Sequence, residues 1–209
     1  MSKSVSLEPG KYYHVYSRGN NRESIFVEER NHGYFLRLYA YYIEPVAETF
    51  AYCLMRNHFH VLVRVREVLL GENLTGLAPA DLTGFRNLSG LAKQHFSNLL
   101  NAYAKAVNKA YGRTGALFER PFGRIEVASD AYFARLVVYI HRNPQKHGFV
   151  ADFRDWPYSS YQTLLARQAT RLKREEVLEW FGGRADLAAA HEQEMTDREA
   201  LELAPEDFD

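Results

Sequence analysis

A single cysteine, Cys53, is all the thiol chemistry that the sequence offers. It has no partner for an internal disulfide, and its place in the apolar run from Phe50 to Leu54 reads as a small buried hydrophobe rather than a catalytic thiol. No stretch approaches the roughly 18 uninterrupted apolar residues that a membrane-spanning helix requires. No basic start leads into a long apolar run of the secretory kind. The expectation is therefore a cytoplasmic protein with no membrane partner. Internal repeats and low-complexity tracts are also missing, which argues against stacked-repeat architectures. Net charge is missing too: 26 Lys and Arg balance 26 Asp and Glu, with a pI near 7.1. That balance speaks against a nucleic-acid partner, because such domains are usually basic.

The distribution of charge reverses that impression. Residues 1–85 hold 9 basic and 9 acidic side chains, residues 86–174 hold 15 and 5, and residues 175–209 hold 2 and 12. A middle third with net charge +10 suits a polyanion, although solvated helix faces would give the same count. The acidic end is expected to be mobile from Glu192 to Asp209 and to lie against the basic surface in competition with nonspecific DNA. The alternative is a helical cap over residues 175–209 with its charges in solvent. With 46% hydrophobic and 25% charged residues, the 209-residue chain is otherwise ordinary for a globular protein with a real core.

The patterning alternates between two periods. KYYHVYS, from Lys11 to Ser17, is aromatic and β-branched and ends at the turn-forming RGNNR. Residues 28–43 place Phe35, Leu38 and Tyr42 at helical spacing before Glu44 and Pro45. Ala47 to Leu54 and His58 to Val65 read as an antiparallel pair joined through Met55, Arg56 and Asn57. Residues 67–87 read as a loop or irregular insertion, and Leu88 to Ala110 as a long helix. Ala116 to Val127 reads as extended. Ser129 or Asp130 then caps a helix over Ala131 to Asn143 that Pro144 terminates. The order β-α-β-β-α-β-α predicts an α+β, ferredoxin-like sandwich, an antiparallel sheet with helices packed on one face. Residues 1–150 form that domain, and residues 151–209 form a C-terminal helical extension with the acidic tail.

His58 and His60 stand one residue apart on a predicted strand, so both imidazoles leave the same face in chelating geometry. A pair of hydrogen-bonded structural histidines is the competing reading. Tyr139 and Asn143, four apart, share one face of a predicted helix. Asn143 offers a hard amide oxygen, and two imidazoles plus that oxygen would leave positions open on a divalent ion. Such an ion would polarise a phosphate for attack by Tyr139. By itself Tyr139 reads as a half-buried aromatic, one of 14 tyrosines.

The runs YYHVYSRGNNRESIF, AYCLMRNHFHVLVRV, YGRTGALFERPFGRI and YIHRNPQKHGFV, followed by DWPYSSY, decide the matter. They resemble the REP-associated tyrosine transposases, a branch of the single-tyrosine, His-hydrophobic-His (HUH) nucleases related to small insertion-sequence transposases. The likeness spans roughly residues 10–165 in order, and the joint presence of NHFH and YIHRNP is its most specific part. It implies a four-stranded antiparallel sheet with the metal site on a central strand. It further implies that His58 and His60 bind Mg²⁺ or Mn²⁺ with Asn143 completing the site, and that Tyr139 becomes joined to a DNA 5′ phosphate. Arg56 stands where most relatives are expected to carry proline, and KHGF at 146–149 replaces a small apolar stretch, leaving His147 as a polar extra.

On this reading the partner is single-stranded DNA with a REP-like hairpin, cleaved and rejoined through a 5′-phosphotyrosine intermediate by a monomer, with a dimer as the alternative. Candidate DNA contacts are Arg18, Asn20, Asn21 and Arg22 on the first loop, with Arg120 and Arg124 from the basic middle segment. His14 and His141 are candidates to orient the site from behind, against plain structural hydrogen bonds. Tyr158, Ser159, Ser160 and Tyr161 are expected to pack the chain after the helix rather than stack on a base. The rival class is a non-catalytic DNA or RNA hairpin-binding regulator. A metal-dependent phosphatase is a third reading.

Overall fold

The computed structural model describes residues 5–68, 88–119, 121–193 and 195–203. The expected insertion at 67–87 therefore falls almost wholly outside the described residues, as do Arg120 and the acidic residues 204–209.

Strand β1 runs over Tyr12–Arg18, followed by a short 3-10 turn at Asn20–Arg22 and helix α1 at Glu29–Ile43. Strands β2 (Ala47–Leu54) and β3 (His58–Val65) follow, then α2 (Leu88–Tyr111), β4 (Gly123–Val127) and α3 (Asp130–Lys146). Among the described residues the extension adds a short 3-10 turn at Phe153–Asp155 and four α-helices: α4 (Tyr161–Leu165), α5 (Arg174–Phe181), α6 (Arg184–Glu192) and α7 (Asp197–Leu203). The sheet order is β2-β3-β1-β4, with every neighbouring pair antiparallel. This is the ferredoxin-like arrangement, and it puts the histidine strand β3 in the middle of the sheet.

Strand alternation sorts the core into two layers. Tyr13 and Val15 of β1 and Phe59, Val61, Val63 and Val65 of β3 face α1 and α2, where Phe35, Phe96, Leu99 and Tyr103 complete one cluster. Leu62, with Phe50, Ala51 and Cys53 of β2, faces α3 through Phe133, Leu136, Val137 and Ile140 in a second cluster. The expectation of helices on one face thus holds for α1 and α2 only. The sheet is apolar on both sides, so a second helical layer has to cover it, and α3 with the extension is that layer.

Three local readings also change. The strand expected over residues 116–127 is confined to Gly123–Val127, with Phe118 making an isolated bridge to Gly19. Helix α3 continues through Pro144 to Lys146, because a proline in the last turn forfeits only one intrahelical hydrogen bond. Its N-terminus is capped by Ser129, whose hydroxyl accepts the Tyr132 amide at 3.3 Å. The acidic end is not mobile throughout: α7 buries Ala200 and Leu203 in the second cluster. Its charges meet the basic region, Glu202 reaching Arg135 at 3.8 Å and Glu192 bonding Arg154, while Glu176 of α5 lies 3.1 Å from Arg64. Among the described residues no helix is long and apolar enough to cross a membrane.

The DWPYSSY segment is structural, as its packing reading required. Leu54 donates its amide to the Tyr158 carbonyl and Ser160 donates to the Tyr52 carbonyl, both at 2.9 Å, so this stretch covers the outer edge of β2. The Tyr158 ring stacks on His32 at 3.5 Å. Behind it runs a buried chain of polar groups. Leu187 can only accept, so His191 Nδ1 donates to its carbonyl (2.7 Å); His141 Nδ1 then donates to His191 Nε2 (2.8 Å), and the Ser160 hydroxyl donates to His141 Nε2 (2.8 Å). The chain ties α6, α3 and the β2 edge together.

Burial holds these imidazoles neutral. Desolvation lowers His32 and His191 to about 4 and takes His141 well below its usual value. The unfolded chain binds protons on these groups below about pH 6.5 whereas the folded chain does not, so folding stability is lost as pH falls from about 6.5 toward 4. Denaturant unfolding should show a loss of about 1 kcal/mol per pH unit per histidine across that window. His191→Gln should flatten the profile, and a pH-independent stability between 7 and 5 would contradict the account.

Candidate active site

The site forms where β3, β1 and α3 meet. His58 and His60 leave the α3 face of β3, their rings 5.2 Å apart and nearly perpendicular at 89°. Both are buried, as are Tyr139 and Asn143 on the facing helix. The Tyr139 ring lies 5.8 Å from His60, edge to face, with the Lys146 ammonium 5.1 Å from the tyrosine ring centre. The structure therefore brings His58, His60 and Tyr139 together, with Asn143 buried one turn beyond Tyr139 on the same helix.

For neutral imidazoles, hydrogen bonding decides which ring nitrogens carry protons. His58 Nδ1 lies 2.7 Å from Asn57 Oδ1. An amide oxygen only accepts, so Nδ1 donates and Nε2 keeps the lone pair. His14, on β1, has Nδ1 3.2 Å from the Leu203 carbonyl and Nε2 2.8 Å from His60 Nδ1. Its Nδ1 must donate to the carbonyl, so its Nε2 accepts from His60 Nδ1, and His60 also keeps its lone pair on Nε2. His14 is thereby hydrogen-bonded to His60. His141 is not: both its ring nitrogens are engaged with His191 and Ser160.

The donor set fits a divalent ion. Asn143 donates Nδ2 to the Tyr139 carbonyl at 3.3 Å, while its Oδ1 is buried and receives no hydrogen bond from any described residue. A buried amide oxygen left so is costly unless something else meets it. Two neutral imidazoles and that oxygen would hold the ion through N and O donors suited to Mg²⁺ or Mn²⁺, with positions left for substrate oxygens. Among the described residues no three His, Cys, Asp or Glu side chains are grouped closely enough to hold a metal by themselves. His147, at the end of α3, stacks edge-on against His58 at 4.8 Å. Sequence reading noted this histidine only as a polar extra, and its spacing four residues beyond Asn143 is the signal that places it on the same side of the helix.

Beside the histidines a pocket of about 320 Å³ is lined by Tyr16, Ser17, Arg18 and Arg22 with Glu119, Pro121 and Gly123. Arg18 is the register partner of His58, and Tyr16 that of His60, so the pocket continues the histidine face of the sheet. Asn20 and Asn21 form the adjacent 3-10 turn, where Asn21 (φ 54°) and Arg22 (φ 60°) adopt left-handed backbone. Gly19 precedes it because a Cβ there would lie 2.0 Å from the Glu23 carbonyl oxygen. Arg124 departs from its expected role. It pairs with Val15 on the opposite face, is buried under Phe122, and donates to the Val5 carbonyl. Strand alternation sends it away from the histidines.

A ferredoxin-like α+β fold, with two histidines on its central strand facing a tyrosine on a covering helix, is the class of protein that this geometry defines. No protein-family model matches the chain. A protein of Haemophilus influenzae described as a REP-associated tyrosine transposase is similar to it, 28% identical over 143 residues that make up 67% of this chain and 69% of that one. A solved structure of a REP-associated tyrosine transposase bound to a REP hairpin resembles it with a TM-score of 0.55 at 15% identity, over 80% of this chain and 86% of that chain. At that identity the structural likeness carries the fold. Both relatives bear the name of the family that the sequence motifs resemble.

Gly123 gives a direct check on the pocket. A Cβ at this position would meet the Tyr16 ring at 2.0 Å, so the glycine is what lets Tyr16 lie across the β4 backbone. Gly123→Ala should destabilise the fold by about 1–3 kcal/mol, and Tyr16→Ala in the same chain should recover most of that loss. Additive effects in the double-mutant cycle would show that the two residues do not share this space.

Proposed function

We propose that this chain is a transposase-like endonuclease that binds a hairpin in single-stranded DNA. It cleaves beside the hairpin and rejoins strands through a covalent bond to Tyr139. The observation that carries the reading is the tautomer geometry, which presents two Nε2 lone pairs from β3 together with a buried amide oxygen and a tyrosine from α3. The similarity to a REP-associated tyrosine transposase, and the fold shared with one bound to a REP hairpin, support it.

In this reading His58, His60 and Asn143 hold Mg²⁺ or Mn²⁺, which supplies Lewis-acid polarisation of the scissile phosphate when bound. Tyr139 Oη attacks phosphorus, the bond to the 3′ oxygen breaks, and the 5′ end stays on the tyrosine while a 3′ hydroxyl leaves. The phosphotyrosine bond keeps the phosphodiester energy, so attack by another 3′ hydroxyl reseals a strand without ATP. Lys146, above the Tyr139 ring, stands where it would offset charge developing on the phenol oxygen. Arg18 and Arg22 would hold the backbone of the strand, and the Tyr16 ring offers a face for a flanking base. Tyr139 is 2% exposed, so a DNA strand reaches its hydroxyl only when the packing around it opens.

Incubation of the full chain with hairpin-bearing single strands and Mn²⁺ should yield a covalent adduct on denaturing gels. Tyr139→Phe should abolish it while leaving hairpin binding within about threefold, because only the attacking oxygen is removed. His58→Ala and His60→Ala should each lose cleavage and keep most of the binding, since phosphate contacts supply most of the affinity. Hairpin binding without any adduct would turn the assignment to the non-catalytic regulator, and an adduct surviving in Tyr139→Phe would move the nucleophile to another tyrosine.

A further inference from the structure

The C-terminal extension reaches into the histidine site through one backbone atom. Leu203 is the last described residue of α7. Its carbonyl accepts from His14 Nδ1 at 3.2 Å, across 189 residues of sequence. His14 and His60 are both at most 1% exposed, so their ring nitrogens are shielded from bulk solvent. The two rings stack at 5.0 Å and 25° with the 2.8 Å hydrogen bond between them.

From this chain of groups we propose that the Leu203 carbonyl, acting through His14, sets the tautomer of His60, making α7 a positioning element of the active site. The logic is one of proton bookkeeping. With α7 docked, His14 carries its proton on Nδ1 and offers His60 an acceptor, so that His60 Nδ1 donates and the His60 lone pair lies on Nε2. Without the carbonyl, His14 is as well satisfied with its proton on Nε2, and donating it to His60 Nδ1 would place the His60 proton on Nε2, where no cation can bind. Docking of α7 and capture of a divalent ion are therefore thermodynamically linked, each favouring the other. The neighbouring relay through His191 and His141 has the same construction but ends on Ser160 inside the fold, so it braces the structure without offering a lone pair to the site.

The inference deepens the metal reading of His60, and its test separates the two. Histidine ¹⁵N NMR of the metal-free full chain should show His14 and His60 protonated at Nδ1. A pair of variants divides the relay: the amide oxygen of His14→Gln reaches the place of Nε2 and keeps an acceptor for His60, whereas the amide nitrogen of His14→Asn reaches the place of Nδ1 and keeps only the bond to Leu203. Mn²⁺ titration followed by electron paramagnetic resonance should leave His14→Gln within about threefold of the wild type. His14→Asn and His14→Phe should weaken binding about 10–100-fold, the usual effect of losing a group that orients a ligand. Leu203→Asp, which undocks α7, should mix the His60 tautomers and weaken Mn²⁺ to a similar extent while the thermal transition of the sheet persists. His60 protonated at Nε2 in the wild type would overturn the relay, as would His14→Asn binding Mn²⁺ normally while His14→Gln does not. A wild-type chain that takes up no Mn²⁺ but keeps His60 protonated at Nδ1 would remove the metal reading and leave the relay standing.

Discussion

The packing of α3 against the second face of the sheet is the contact on which the rest of this molecule depends. It closes a core that a two-helix ferredoxin-like layer leaves half open, with Phe133, Leu136, Val137 and Ile140 set against Phe50, Ala51, Cys53 and Leu62. The same contact brings Tyr139 to His60 and buries the Asn143 amide. Stability and the candidate site thus share one interface. A change that loosens α3 to improve access also weakens the core, which is the usual tension where a site is built into a packing surface.

Three imidazole arrangements in the interior use burial in two ways. His141 and His191 are held neutral by desolvation and satisfied at both nitrogens, so they act as buried polar struts. His14 and His60 share the same hydrogen-bond pattern, one imidazole donating to a backbone carbonyl and accepting from the other, but at the candidate site. His58 obtains the same tautomer from its chain neighbour Asn57, independently of the extension. The two histidines of the site are therefore oriented by different parts of the fold, one local and one at the far end of the chain.

The charge polarity of the chain acquires a structural meaning in this light. Acidic residues of the extension lie against basic ones from the rest of the chain, as in Glu176 with Arg64 and Glu202 with Arg135, and against a basic residue of the extension itself in Glu192 with Arg154. Exposed pairs of this kind contribute little each and weaken with salt. The apolar burial of Ala200 and Leu203 is what docks α7, while the charges give the extension a preferred surface on which to dock.

By itself the sequence determined the order of the elements, the pairing of β2 with β3, and the shared face of His58 and His60. These follow from period two in strands, and from turn chemistry at Met55, Arg56 and Asn57, both local properties. The spacing of Tyr139 and Asn143 was equally legible, because four residues return a helix to the same face. The role of Arg124 was not, since nothing in its charge tells which face of β4 it occupies; the register against Val15 decides that. Nor did Pro144 reveal that α3 would run past it, because tertiary packing of the last turn outweighs one missing hydrogen bond. Only the tertiary structure decided that His14 bonds His60 while His141 bonds His191 and Ser160, and that the Leu203 carbonyl meets His14. A hydrogen bond spanning 189 residues leaves no periodic trace in the sequence, because it exists only once α7, β1 and β3 have been brought together by the core between them.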